Sequence, residues 1–163
     1  MQLTPHETYL EALKALLNND KGKAFLRLRE TVMADTNNID AYLRLTNLLR
    51  EKGNAKKALQ IDADLNLRQN LSQYEKAEVM LSLAEDYMHV SQFDAAEKVL
   101  QELKKYPDRK AAAASKLVKL FTRKKDWRRA VEHQEEYLKI QGIDDKSSLA
   151  ELKLRHGTEL EKN

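Results

Sequence analysis

A chain of 163 residues is long enough for one domain or one small repeat array. Apolar residues supply 42% and charged residues 34%, but glycine occurs 4 times and proline twice, too few turn formers for an all-β sandwich or barrel. Cysteine is absent, which excludes disulfides, thiolate zinc sites and cysteine nucleophiles, and the net charge of +3 is uneven: residues 1–90 sum to −1, 91–129 to +7 and 130–163 to −3.

The elements expected are helices throughout. Thr4, Pro5 and Glu7 spell an N-cap, a first-turn proline and a capping-box glutamate. The helix they open carries Tyr9, Leu10, Leu13, Leu16 and Leu17, and the breaker Asn18-Asn19-Asp20 separates it from a second with Leu28 and Val32. Beyond Thr36-Asn37-Asn38, a third helix holds Tyr42, Leu45, Leu48 and Leu49; Gly53-Asn54 then leads to a fourth with Leu59, Ile61 and Leu65. Asn70-Leu71-Ser72 follows, and Ser72 with Glu75 forms a second capping box before Met80, Leu81, Leu83, Ala84, Tyr87 and Met88. Ser91-Gln92 introduces a helix with Val99, Leu100 and Leu103, ended near Pro107-Asp108. Leu117, Val118, Leu120 and Phe121 mark the next, and after Lys125-Asp126 comes one with Val131, Tyr137 and Leu138, closed by Gly142-Ile143-Asp144. A last helix over 145–160 could turn Leu149, Leu152 and Leu160 inward and leave Glu151, Lys153, Arg155, Glu159 and Glu161 in water.

Four segments repeat one another: Gly22–Phe25, Ala55–Ala58, Phe93–Ala96 and Trp127–Ala130. Their alanines, Ala24, Ala58, Ala96 and Ala130, stand 34, 38 and 34 residues apart. Two antiparallel helices that cross closely need a methyl-sized side chain at the contact, so the period predicts stacked helical hairpins.

The period and residue types resemble the tetratricopeptide repeat (TPR), with Tyr42 near a helix start, Leu45, Leu83 and Leu117 one turn on, small Ala12, Thr46 and Ala84 at the close contact, and then the four alanines. Val118 in place of a small residue and Asp62 in place of a large apolar one depart from the pattern. The resemblance implies an all-α, TPR-type α-solenoid: repeats over about 5–38, 39–76, 77–110 and 111–144, then a capping helix over 145–160. More narrowly, Tyr9–Ala24, Asn47–Gly53, the longer linker over Asn66–Lys76 and Glu85–Met88 resemble the TPR region of the bacterial lipopolysaccharide assembly protein B family. That family is a membrane-anchored cytoplasmic scaffold; its anchor and its four-cysteine metal module have no counterpart in these 163 residues.

The TPR resemblance implies a concave groove lined by the first helix of each pair. Its candidates here are Tyr9, Leu13, Leu43, Asn47, Arg50, Leu81, Glu85, Met88, Lys119 and Arg123, apolar at the start and basic at the end. A partner helix or peptide with an apolar segment followed by acidic residues would complement that gradient. Chaperone-binding TPRs clamp a carboxylate with cations, but the corresponding positions hold Tyr9, Leu13, Glu78 and Ser82, which disfavours that role.

Chemistry is otherwise sparse. His6, His89, His133 and His156 fall on different helices without metal-ligand spacing, and no phosphate-cradling or nucleophile-elbow motif occurs, so no catalytic, cofactor or metal site is expected. Lys104, Lys105, Arg109, Lys110, Lys124, Lys125, Arg128 and Arg129 surround Trp127, an alternative surface for RNA or an acidic membrane. The primary expectation is a non-catalytic scaffold for a protein or peptide partner, possessing neither an apolar run of ~18 residues nor a signal-peptide core. It belongs in the cytoplasm, or at the cytoplasmic face of a membrane if an anchor lies outside this sequence.

Overall fold

The computed structural model describes residues 3–160, with side chains described for 3–158. Among the described residues there are nine α-helices and no strand: α1 Pro5–Leu17, α2 Lys21–Ala34, α3 Ile39–Glu51, α4 Ala55–Asn66, α5 Gln73–His89, α6 Phe93–Leu103, α7 Lys110–Lys124, α8 Trp127–Gln141 and α9 Lys146–Leu160. A 3-10 turn, Pro107–Arg109, precedes α7. The chain divides at Val90–Ser91 into two compact units.

Both capping boxes are formed. The Thr4 hydroxyl accepts from the Glu7 backbone N–H while the Glu7 carboxylate accepts from the Thr4 N–H at 2.8 Å, and Ser72 with Glu75 repeats the arrangement at the start of α5. These reciprocal bonds hold both glutamate carboxyls below their usual range, chiefly through the backbone bond at Thr4 and the side-chain bond at Ser72.

In the first unit α1 packs on α2, α2 on α3, α3 on α4, and α5 against both α3 and α4. Ala24 and Ala58 have no exposed surface and share one core cluster with Ala12, Ala15, Leu28, Val32, Ala41, Leu45, Leu48 and Leu49. A second cluster joins Ile39, Leu65 and Val79, with Tyr42, Leu43, Ile61 and Leu71 packed against it. In the second unit α7 packs on α6 and α8, and α9 on α8. Ala96, Leu100, Leu103, Ala113, Ala114, Leu117, Leu120, Phe121 and Ala130 are all fully buried there.

Two expectations need correction. Leu10 and Leu17 lie outside the core, Leu17 being 87% exposed, because Thr8, Ala12 and Ala15 form the buried stripe of α1. On α9, Leu149 and Leu152 are half-buried, whereas the inward placement expected of Leu160 and the outward one of Glu159 and Glu161 lie outside the described side chains.

The period also recurs in the backbone. Asn19, Gly53, Ser91 and Lys125 have φ of 55°, 78°, 62° and 59°, and they follow one another at 34, 38 and 34 residues. Each stands just after the end of one helix and before the start of the next, where a left-handed residue ends the helix. Only one of the four is glycine, so three turns carry the steric cost of a Cβ at positive φ.

Replacing Ala58 with Leu is expected to overpack the α3–α4 contact and cost ~1–3 kcal/mol in urea unfolding. Lys125→Gly should instead stabilise by about 0.5 kcal/mol, the relief of left-handed strain exceeding the added unfolded-state entropy. A destabilised Lys125→Gly would show that the turn carries no strain.

Candidate functional site

The first helices, α1, α3, α5 and α7, carry the residues expected to face a partner. Tyr9, Leu13, Leu43, Leu81 and Glu85 are half-buried, and Asn47, Lys119 and Arg123 are exposed. Tyr9 is held in place: its hydroxyl donates to the Asp40 carboxylate, and Arg44 Nε donates to both, at 2.8 Å to Asp40 and 3.1 Å to Tyr9. Between the starts of α3 and α5 lies a hollow of about 360 Å³ lined by Ile39, Asp40, Leu43, Ser72, Tyr74, Glu75 and Glu78. In the second unit the Arg123 guanidinium covers the Phe93 ring, 5.2 Å from its centroid.

Arg50 and Met88 are not on that surface. Met88 is 6% exposed and packs into the interior. Arg50 is 9% exposed because buried carboxylates draw it inward: Nη1 donates to Asp86 Oδ1 at 2.7 Å and to Ser82 Oγ at 3.0 Å, and lies 3.6 Å from Asp62 Oδ2. Glu85 approaches Nη2 at 3.9 Å. Asp62 and Asp86 have no exposed surface at all. The sequence signal for this cluster was Asp62 itself, a charge at an otherwise apolar position beside Ile61 and Leu65. Its partners on α3 and α5 are 12 and 24 residues away, too far for any local pattern to connect.

Five of the eight basic candidates are paired with carboxylates within their own unit. Lys104 pairs with Glu136 at 2.6 Å, Lys124 with Asp94 at 2.9 Å and Arg128 with Glu132 at 3.0 Å. Arg129 reaches both Asp126, at 2.6 Å, and Glu97, at 3.1 Å, while its guanidinium stacks over Phe121. Arg109 lies 3.3 Å from Asp108. Lys105, Lys110 and Lys125 are exposed. Trp127 is half-buried with the Arg155 guanidinium of α9 over its ring, so the aromatic at the centre of the patch is partly occupied. His133 stacks on Phe121 at 5.4 Å, and its Nδ1 lies 3.1 Å from Glu136. Among the described residues no three His, Cys, Asp or Glu side chains converge as a metal site, and no helix is long and apolar enough to cross a membrane.

No family model matches the chain. It is 26% identical over 152 residues to lipopolysaccharide assembly protein B of Escherichia coli, covering 91% of this chain and 39% of that protein. To the protein of the same name from Haemophilus influenzae it is 29% identical over 161 residues, covering 94% and 41%. The chain thus spans about two fifths of the length of the curated relatives it matches. Among solved structures, MamA of Desulfovibrio magneticus superposes with a TM-score of 0.75 at 15% identity over 96% of this chain and 88% of that one. PilF of Pseudomonas aeruginosa gives 0.74 at 14% over 97% and 69%, and a thermophilic TPR protein of Thermus thermophilus 0.69 at 18% over 96% and 81%. The fold is an all-α TPR solenoid, and the chain resembles lipopolysaccharide assembly protein B.

Arg50→Met removes the cation from between two interior carboxyls. It is expected to cost about 3–5 kcal/mol, measured as a shift in the urea midpoint followed by circular dichroism. A loss below about 1 kcal/mol would show that water, not Arg50, compensates Asp86.

Proposed function

We propose that this protein is a non-catalytic scaffold that holds a peptide or helix of a partner protein against the first helices of its repeats. The observation that carries the reading is the character of those faces. Tyr9, Leu13, Leu43 and Leu81 remain partly accessible in the first unit, interleaved with Asn47 and Glu85 and adjoining the hollow at Leu43. Part-exposed apolar side chains with polar neighbours are what a partner's apolar anchors dock against. In the second unit, exposed Lys119 and Arg123 stand one turn apart on α7 and suit acidic side chains.

The likeness to lipopolysaccharide assembly protein B supports a place in the bacterial envelope's lipopolysaccharide pathway, with the scaffold working in the cytoplasm or at the cytoplasmic face of a membrane. The competing reading, an adaptor for RNA or acidic lipid through residues 104–129, is weakened by the carboxylates already seated on Lys104, Arg109, Lys124, Arg128 and Arg129. A phosphate would compete with each of them for the same cation.

Capture of partners from a bacterial lysate separates the two. Asn47→Trp with Leu81→Gln should reduce the retained partner at least about tenfold while helicity and melting stay unchanged, and retention by the wild type should persist as salt rises. Lys105→Glu with Lys110→Glu and Lys125→Glu should leave retention intact. The reverse pattern, with binding that collapses at moderate salt, would overturn the scaffold reading in favour of an anion surface.

A further inference from the structure

The charges of the Arg50 cluster do not balance. Asp62 and Asp86 are both fully buried, and a single guanidinium lies between them, 2.7 Å from Asp86 and 3.6 Å from Asp62. Neither Asp62 oxygen accepts a hydrogen bond from a protein donor, and neither does Oδ2 of Asp86. Two ionised carboxylates here would leave an uncompensated charge and three unsatisfied oxygens in the interior. One retained proton removes the charge and supplies the missing donor, because a protonated carboxyl donates where a carboxylate only accepts.

We propose that Asp62 is kept as a neutral carboxylic acid that donates its O–H to Asp86, and that loss of this proton to solvent loosens the junction of α3, α4 and α5, making the cluster a pH-sensitive latch inside the first unit. Arg50 is then the counter-ion of Asp86 alone. The groups that bear on the pair are Arg50 from α3, Asp62 from α4, and Ser82, Glu85, Asp86 and His89 from α5. Burial pushes the Asp62 carboxyl up to about 8; the neighbouring Asp86 charge adds to the rise, while Ser82 and Arg50 oppose it. Burial also raises Asp86, against the pull of Arg50, Asp62 and His89.

The sign follows from proton linkage. An aspartate of the unfolded chain loses its proton near pH ~3.9, so between that value and about 8 the folded state binds the extra proton. The stabilisation is complete below the unfolded value and is lost as pH rises through the folded one. The inference rests on the cluster alone and is independent of any partner.

The test compares thermal unfolding of the full chain and of Asp62→Asn, which imitates the protonated state, between about pH 5.5 and pH 9. The wild-type Tm should fall by about 10 °C more than that of the variant over this range; effects of histidines elsewhere cancel in the comparison. Infrared spectra of the folded wild type should show the carbonyl stretch of a protonated carboxylic acid near neutral pH, absent above about pH 9.5 and absent from Asp62→Asn. Parallel melting profiles, or a wild-type spectrum without that band at neutral pH, would overturn the proposal. The second measurement decides the matter even if the variant does not fold.

Discussion

Close approach of paired helices is the constraint from which the rest of the molecule follows. Ala24 and Ala58 have no exposed surface and sit in one cluster with Ala12 and Ala15 of α1 and Leu45, Leu48 and Leu49 of α3. A larger side chain at either position would hold the backbones apart and strip those leucines of their contacts. The left-handed turns at Asn19, Gly53, Ser91 and Lys125 keep the same 34, 38 and 34 spacing as the alanines. Inside the first unit the turns at Asn19 and Gly53 set how soon the chain reverses, and the methyls of Ala24 and Ala58 set how near it returns. Asn19 and Lys125 make the reversal without glycine, so helix packing there outweighs a local backbone penalty.

The same close packing explains why a charge cluster can persist inside α3, α4 and α5. Asp62 occupies a position where a TPR repeat has a large apolar residue, and Asp86 faces it from α5. Arg50 reaches them because it starts from the end of α3 and its long side chain can be drawn inward. The first-helix face thereby loses a cation and keeps Asn47 and Glu85 as its polar contacts beside Leu43 and Leu81. A cluster of this kind contributes little net stability compared with an apolar core of equal volume, but it is expensive to break.

Composition and surface field diverge in the second unit. The segment 91–129 carries a net +7 and 130–163 a net −3, yet the fold brings Glu136 onto Lys104, and Glu132 meets Arg128 one turn along α8. Arg129 spans from α8 to Glu97 on α6. The carboxylates of Glu132 and Glu136 offset two of the seven excess charges, and exposed positive charge is dispersed over Lys98, Lys105, Lys110, Lys119, Arg123 and Lys125. Trp127 receives Arg155 from α9 rather than standing open as a stacking platform.

What could be read along the chain was whatever depends on neighbours within a turn or two. Capping boxes at Thr4 and Ser72, the alanine period and the helical stripes are of this kind, since backbone geometry and side-chain spacing of three or four residues write them directly into the order of residues. Even there a stripe of leucines misled on α1: smaller Thr8, Ala12 and Ala15 win the close contact and push Leu17 into water. Tertiary structure alone decided which way Arg50 and Met88 point and which cations keep their charge free. Arg50's buried partners lie 12 to 36 residues away, and the carboxylates set on Lys104, Lys124 and Arg129 from other helices lie 30 to 32 away, at distances in space that depend on how whole helices stack. Periodicity records which face of a helix is apolar. It carries no record of what the facing helix places opposite, and that opposition sets the electrostatics of both the interior and the surface.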